Sequence, residues 1–171
     1  MDRAMDESVL RSMAKWPDVP DVYGWLSLDR RGNWLLRGER ISNQALRDFI
    51  SRNYQADARG CWYFQNGPQR VFAALAYTPL VLHLEGGNAG EALYDHCGRP
   101  FQVEQAFLDE EGSVLMQGKP GVGLLDDRDL AAYSDRAEGL PGIAGRALSG
   151  CFGFVTNPRP MNPCAKPKTS L

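Results

Sequence analysis

Apolar side chains recur at helical spacing in three stretches of the chain, where they line one face of a predicted helix. The first stretch covers residues 5–16, and Pro17 and Pro20 end it. The second contains residues 45–50, and the third contains residues 129–134. The first pattern predicts a short amphipathic helix that packs on the rest of the protein through its apolar stripe. That stripe consists of Met5, Val9, Leu10, Met13 and Trp16.

Strand-like runs lie beside turns of the form Asp-x-x-Gly at four places. In such a turn the aspartate accepts hydrogen bonds from nearby backbone N–H groups, and the glycine adopts the positive φ that the turn requires. Four of these turns between β-type runs predict four antiparallel hairpins. The turns are Asp29–Gly32, Asp57–Gly60, Asp95–Gly98 and Asp109–Gly112, and further strands are predicted at 61–65, 70–75, 79–84 and 151–155.

Residues 29–38 and 109–118 share one skeleton, in which Asp, two charged residues and Gly precede an alternating run that ends in Gly. A predicted helix follows each stretch, at 45–50 and at 129–134, so the arrangement of hairpin and helix occurs twice. Strands equivalent to those at 61–84 are mostly missing after the second helix. The pattern therefore predicts an internal repeat that is real but incomplete.

These patterns predict an α+β fold of two related lobes, each built from antiparallel β-hairpins and one helix. A short N-terminal helix and a linker are predicted at 1–21, followed by the first lobe at 22–84. The second, incomplete lobe is predicted at 85–156. A Pro-rich tail with little structure of its own is predicted at 157–171.

The composition is that of an ordinary globular protein, with 43% hydrophobic and 23% charged residues among 171. A formal net charge of -2 argues against a general nucleic-acid binder, and no nucleic-acid partner is predicted. Charged residues interrupt the apolar runs of the first 16 residues, which is not typical of a signal peptide. The longest apolar run, at 72–82, is too short to span a bilayer. We therefore expect a cytoplasmic protein with no membrane partner.

Charge is distributed unevenly along the chain. Residues 22–84 carry eight basic and four acidic side chains, whereas residues 85–139 carry four basic and twelve acidic ones. Residues 140–171 carry four basic and no acidic side chains. Two interpretations remain open. Either the lobes dock partly through complementary charge, with the basic tail on the acidic lobe, or a cleft with one basic wall attracts an anionic ligand.

The first lobe resembles an uncharacterised bacterial family, one of the domains of unknown function. The matching positions are Gly32, Trp34, Gly38, Ala45, Leu46, Phe49, Asp57, Gly60, Trp62, Tyr63, Ala76 and Pro79, within residues 22–84. The resemblance implies two similar α+β lobes side by side, with suspected roles in ligand binding and signal transduction. The matching residues are of turn and core types, so the resemblance implies no particular functional residue.

Several kinds of site find little support in the sequence. Cys61, Cys97, Cys151 and Cys164 form no C-x-x-C pair, so they are interpreted as reduced thiols, and neither a metal nor a cofactor is predicted. The glycine-rich loop at 118–123 lacks the residue order of a phosphate-binding loop and is interpreted as a plain connection.

The chain has only two histidines, His83 and His96, and no G-x-S-x-G motif that would indicate a nucleophilic serine. His83 lies near the end of a predicted strand. His96 lies within a predicted turn, where we expect it to be exposed. Neither is predicted to be catalytic.

Acidic side chains of the second lobe suggest an alternative hypothesis, in which the protein is a hydrolase or a transferase. This alternative requires at least two of them to converge in a cleft. Without such convergence they form a solvated face and a helix N-terminus. The residues concerned are Glu110, Glu111, Asp126, Asp127 and Asp129.

An aromatic and basic cluster of the first lobe is the leading candidate site. Arginine offers paired hydrogen bonds to carboxylate or phosphate, and tryptophan offers a stacking surface. The competing interpretation places both tryptophans in the core and the arginines in solvent. The tentative ligand-binding residues are Trp34, Arg37, Arg40, Trp62, Asn66 and Arg70.

The leading hypothesis is a non-enzymatic regulatory or signalling module that binds a small anionic ligand or a partner protein. The enzyme with an acidic site is the second hypothesis, and a structural protein–protein interaction module is the third. The sequence predicts neither the ligand nor the oligomeric state.

Overall fold

A computed structural model of the chain describes residues 20–87 and 92–160. The helix predicted at 5–16 and most of the tail predicted at 157–171 lie outside these residues, as does Cys164. Among the described residues, no helix is long and apolar enough to cross a membrane.

The first sheet has six strands in the order β3-β2-β1-β6-β5-β4. Its two central strands, β1 and β6, run parallel to each other, and the other neighbours are antiparallel. The strands are β1 (Val22–Leu28), β2 (Trp34–Leu36), β3 (Glu39–Arg40), β4 (Tyr54–Ala56), β5 (Trp62–Asn66) and β6 (Gln69–Leu75).

The second sheet also has six strands, in the order β10-β11-β12-β7-β8-β9. Its central strands, β12 and β7, are again the parallel pair. The strands are β7 (Leu80–Leu84), β8 (Leu93–Asp95), β9 (Pro100–Phe101), β10 (Gln105–Leu108), β11 (Val114–Gly118) and β12 (Gly121–Leu125). Each strand of the second sheet takes the place of the strand six earlier in the first, which confirms two similar lobes.

The repeat nevertheless has a different offset from the predicted one. The Asp29 turn joins β1 to β2, whereas the Asp109 turn joins β10 to β11 and so corresponds to the Asp57 turn. The predicted pairing of 29–38 with 109–118 is therefore wrong. The reason is that an Asp-x-x-Gly motif predicts a hairpin turn but does not predict which strands of the sheet the turn joins. The second sheet has its full set of six strands, and the sheets divide between Leu75 and Leu80, whereas the sequence pattern predicts a lobe boundary after residue 84.

All four predicted Asp-x-x-Gly turns are confirmed. Their glycines, Gly32, Gly60, Gly98 and Gly112, have φ values of 80 to 84°. In each turn the aspartate Oδ1 accepts the backbone N–H groups of the second and fourth residues that follow, at 2.7 to 3.0 Å.

Both predicted helices within the described residues are also confirmed. Helix α1 (Gln44–Arg52) begins after Asn43, whose side chain accepts the N–H of Leu46 at 3.0 Å, and it joins β3 to β4. Helix α2 (Leu130–Ala137) follows β12, and helix α3 (Leu148–Phe152) comes later. Short 3₁₀ turns occur at Glu85–Gly87, Asp127–Asp129 and Gly145–Ala147.

The strand predicted at 151–155 is wrong, because α3 occupies the start of that segment. Gly153 ends the helix in a left-handed conformation, with φ of 68°. Only Val155 pairs in the manner of a strand, through a parallel bridge to Cys61. The C-terminal segment thus returns to the first sheet after the second sheet is complete.

One main hydrophobic core contains side chains from both sheets. The first sheet contributes Leu26, Leu28, Trp34, Trp62 and Phe64, among others. The second contributes Leu80, Leu82, Leu115, Met116 and Leu124, among others. Because the lobes share this core, the boundary between them is a packed interface.

Candidate functional site

The two tryptophans of the predicted cluster are core residues. Trp34 is 2% exposed and Trp62 is 5% exposed. Their rings lie 4.8 and 5.0 Å from the ring of Tyr54, measured between centroids. Both therefore pack on the inner side of the first sheet, as the competing interpretation required.

The polar members of that cluster lie elsewhere. Arg37, Arg40 and Asn66 are exposed, and Arg37 stacks on Trp25 with its guanidinium carbon 3.9 Å from the ring centroid. Arg70 stacks on Tyr63, whose neighbours in β5 are buried in the main core. Because side chains alternate along a strand, Arg70 lies on the opposite face from Trp62. The structure gives no support to a single basic and aromatic cleft, and a ligand-binding role for these residues stays a prediction.

The acidic side chains of the second lobe are held by partners. Asp126 is 1% exposed; its Oδ2 lies 3.2 Å from His83 Nδ1 and accepts a hydrogen bond from Arg128 Nη2 at 2.6 Å. Hydrogen bonds from Arg128 outweigh burial and hold the pKa of Asp126 below its usual value. Asp127 binds Arg31 of the first lobe through two hydrogen bonds of 2.9 Å.

The remaining three carboxylates are also engaged. Asp129 accepts the N–H of Leu84 at 3.2 Å, and Glu110 accepts the N–H of Gly145 at 2.8 Å. Glu111 faces Arg30 at 3.9 Å. The charged turns at Asp29 and Asp109 thus contact each other, and no group of three metal-binding side chains occurs among the described residues.

A crevice of about 430 Å³ lies between α1 and the turn that joins β8 to β9. Asp48, Ser51 and Arg52 line it from the helix, and His96, Cys97 and Gly98 line it from the turn. Its walls therefore come from different lobes.

His96 lines this crevice from the β8–β9 turn. Its Nδ1 accepts the backbone N–H of Val81 at 3.2 Å, which places the proton of the neutral ring on Nε2. Burial, with smaller effects of His83 and Arg99, lowers the pKa of His96 to about 3. The Nε2 atom is buried and has no hydrogen-bond partner among the described residues.

The confinement of His96 explains why its predicted exposure is wrong. Its ring lies edge-on to Trp34 and Tyr54, at 5.1 and 5.4 Å between centroids. A Cβ at Gly32 would be 2.7 Å from the Cβ of His96, so the first hairpin of one lobe rests on this residue of the other. These contacts between lobes leave no signal in the local sequence.

Arg99 has both paired and unpaired donor groups. Its Nη2 donates to the carbonyl oxygens of Ser51 and Tyr54, both at 2.9 Å, at the C-terminal end of α1. Its Nε is buried and lacks a hydrogen-bond partner among the described residues. Sequence reasoning did not select Ser51, Arg52, His96 or Arg99 as site residues.

Two further groups shape the crevice wall. The Ser51 hydroxyl accepts the indole N–H of Trp34 at 3.1 Å, which fixes the serine over the core. Asp48 accepts a hydrogen bond from Gln44 at 2.6 Å and places one negative charge in the wall. The crevice consequently has a polar lining made by Asp48, Ser51, Arg52 and His96.

A second cavity, of about 620 Å³, lies between the β10–β11 turn and residues 142–146. Its two carboxylates have partners. Asp109 accepts the Tyr77 hydroxyl at 2.6 Å, and Glu110 accepts the N–H of Gly145. This cavity therefore lacks the unpaired donors that distinguish the crevice at α1.

Comparisons with known proteins place the fold but not the activity. The model of the DUF2944 family, described as "Protein of unknown function (DUF2946)", matches residues 5–159. No curated protein matches the chain.

Two solved structures are similar to this chain. A DUF1285 family protein from Silicibacter pomeroyi DSS-3 has 16% sequence identity and a TM-score of 0.51 over 69% of this chain and 72% of that chain. A DUF1285 family protein from Shewanella baltica OS155 has 13% identity and a TM-score of 0.47 over 65% of this chain and 88% of that chain. At 16% identity, the similarity to the Silicibacter pomeroyi protein shows a shared fold and nothing about function.

Proposed function

We propose that this chain, which belongs to the DUF2944 family of proteins of unknown function, is a non-enzymatic module that binds a small anionic ligand. The ligand would occupy the crevice between α1 and the β8–β9 turn. It would contact both lobes at once, as expected of a regulatory or signalling module.

The unpaired Nε2–H of His96 carries this proposal. A buried donor without an acceptor costs about 1–3 kcal/mol, and native structures rarely leave one unexplained. The Nε–H of Arg99 is a second such donor. Of the two residues only His96 lines the crevice, so an acceptor-bearing ligand that reaches its Nε2 would remove that cost.

The arginine in the crevice wall supports an anionic ligand. Arg52 brings a permanent positive charge there beside the carboxylate of Asp48, while Arg99 and the buried Asp95 lie nearby with opposite charges. Hydrogen bonds from an ionised donor to an anionic acceptor are about twice as strong as neutral ones. The volume of about 430 Å³ falls at the small end of ligand pockets and suits a compact ligand.

The state of His96 favours binding over acid–base catalysis. A general base needs a pKa near the working pH, whereas burial lowers the pKa of His96 to about 3. At neutral pH its Nε2 is thus a fixed donor that does not exchange charge with a substrate. This supports a binding role for the crevice.

The first test is a thermal-shift screen of the full chain against acetate, succinate, citrate, phosphate, sugar phosphates and nucleotides. Potassium chloride at equal ionic strength is the control. A ligand at about a hundred times its Kd should raise the unfolding midpoint by about 5–10 °C for a chain of this size.

Four variants locate any hit. His96→Met removes the donor, whereas His96→Gln keeps an N–H at a similar reach. Arg52→Gln removes a charge from the crevice, and Arg40→Gln removes one from the exposed edge strand. We expect the shift to be lost in His96→Met and Arg52→Gln but kept in the other two. A hit that depends on Arg40 alone would contradict the crevice, and a flat screen would contradict a small anion and favour a protein partner.

A further inference from the structure

The wall of the crevice that α1 forms carries both signs of charge. Asp48 and Arg52 lie four residues apart in α1, so they project from the same side of the helix, about 6 Å apart along its axis. Both line the crevice, and both are exposed. A ligand that fills the crevice therefore meets a carboxylate as well as a guanidinium.

Asp48 is held in position by its neighbours in the helix. Its Oδ1 accepts a hydrogen bond from the side-chain amide of Gln44 at 2.6 Å, and the oxygen of that amide accepts one from Arg47 at 2.6 Å. The Oδ2 of Asp48 accepts no hydrogen bond from another described residue. One oxygen of this carboxylate is thus fixed within α1, and the other is available to a ligand.

His96 presents a donor to the crevice from the other lobe. Its Nδ1 accepts the N–H of Val81, so the proton of the neutral ring is on Nε2, which has no partner among the described residues. A carboxylate oxygen of a ligand would accept a hydrogen bond from this Nε2–H. The two walls therefore suit opposite ends of one small molecule, since Asp48 favours a cationic group and His96 favours an acceptor.

We propose that the ligand of this crevice is a small zwitterionic amino acid, whose ammonium group binds Asp48 and whose carboxylate binds the Nε2–H of His96. This inference rests on the proposed function and names the chemical class of its ligand. Arg52 contributes positive charge on the side of the carboxylate. The volume of about 430 Å³ suits a molecule of this size.

Asp48 is the residue that determines this specificity. An anion without an ammonium group would bring its negative charge close to the carboxylate of Asp48, and like charges repel more strongly in a crevice than in open water. An ammonium group beside Asp48 replaces this repulsion with attraction and donates charge-assisted hydrogen bonds. The same side chain thus favours an amino acid and disfavours the corresponding simple acid.

Isothermal titration of the full chain with matched pairs of ligands tests this inference. The members of each pair differ by one ammonium group, and the pairs are propanoate and alanine, succinate and aspartate, and hexanoate and norleucine. At neutral pH and equal ionic strength, we expect the amino acid of at least one pair to bind about tenfold more tightly than its partner.

Two substitutions assign the preference to the crevice. Asp48→Asn keeps an acceptor for Gln44 and removes the charge, so it should abolish the preference while binding is retained. Glu39→Gln removes a carboxylate from the exposed strand β3 and should leave the preference unchanged. Asp48→Ala is the second variant, and because Asp48 is exposed, neither substitution disturbs the core.

The outcomes separate this inference from the proposed function. Equal affinities within every pair, or a preference that survives in both Asp48 variants, would overturn the inference and leave anion binding in place. His96→Met should weaken both members of a pair. If no amino acid and no simple acid binds the parent chain, or if His96→Met binds them as the parent does, the proposed function is contradicted together with this inference.

Discussion

The two sheets have the same strand order, yet a helix is attached to each at a different place. In the first sheet α1 connects the third strand to the fourth. In the second sheet residues 102–104 make that connection, and α2 instead follows the sixth strand. The repeated part is therefore the strand framework, and the connections are free to differ.

This difference explains why the described part of the second lobe has no equivalent of the helical wall of the crevice. Its walls need a helix end from one lobe and a turn from the other. The second lobe has only three residues where α1 would stand, so the reversed arrangement has no helical wall. Among the described residues, the strand order is thus repeated but the helical wall of the crevice is not.

The equivalent turns at Asp57 and Asp109 give the sharpest contrast. Both end in a glycine, with φ of 81° at Gly60 and 80° at Gly112. A Cβ at Gly60 would lie 2.0 Å from the carbonyl oxygen of Gly153, whereas a Cβ at Gly112 would meet nothing within 4 Å. The C-terminal segment packs against the glycine of the first turn, whereas the glycine of the second turn has free space beside it.

The largest effect is expected from alanine at these two glycines. Gly112→Ala should cost about 1–2 kcal/mol of unfolding free energy, because only the backbone conformation is strained. Gly60→Ala adds a clash with backbone, which brings the total to about 3–5 kcal/mol. Denaturant unfolding of both variants measures the difference. Equal losses of unfolding free energy in the two variants would contradict the proposed difference between the turns.

Acidification is expected to lower the free energy of unfolding by an intermediate amount. His96 is neutral in the folded chain, with a pKa of about 3, whereas an unfolded histidine has a pKa of about 6.5. The unfolded state thus binds the extra proton, so stability is full above pH 6.5 and falls as the pH drops towards 3. At pH 4.5 the loss from this residue should be about 2–3 kcal/mol.

Unfolding of His96→Gln between pH 7 and 4.5 checks this expectation. The variant should lose less stability over that interval than the parent chain. The matched control is His83→Gln, which removes the other histidine of the second sheet. A parent-like slope in His96→Gln would show that His96 is not the group responsible.

The smallest effect is expected at the charged contact between lobes. The side chains of Arg31 and Asp127 are 51% and 58% exposed, so their ion pair should contribute less than about 1 kcal/mol. A double-mutant cycle with Arg31→Ala and Asp127→Ala measures the coupling, and 1 M salt should reduce it. A coupling of several kcal/mol would instead make complementary charge a main cause of lobe docking.

Local features of the fold were predictable from the sequence. The Asp-x-x-Gly turns and α1 depend on hydrogen bonds and apolar spacing within a few residues. The repeat offset was not predictable in this way, because the turns at Asp29 and Asp109 have the same local chemistry in different places of the sheet order. Residues 151–155 carry strand-forming side chains, but Gly153 ends a helix there.

The site was less predictable than the fold. Trp34 and Trp62 resembled a binding surface because aromatic and basic residues alternate nearby, and only the packing of the second sheet shows that they are core. His96 looked like an exposed turn residue. Its environment comes from Trp34, Tyr54 and Val81, which are 15 to 62 positions away in the chain.

The most direct test of the binding proposal is a long-range ¹H–¹⁵N spectrum of the histidine side chains, recorded with and without an anion from the screen. With only two histidines the assignment is simple. We expect His96 as the neutral Nε2–H tautomer from pH 8 to 5, with an Nε2 signal that shifts on saturation while His83 stays unchanged. An Nδ1–H tautomer, or a bound anion that leaves His96 unmoved, would contradict the proposed site.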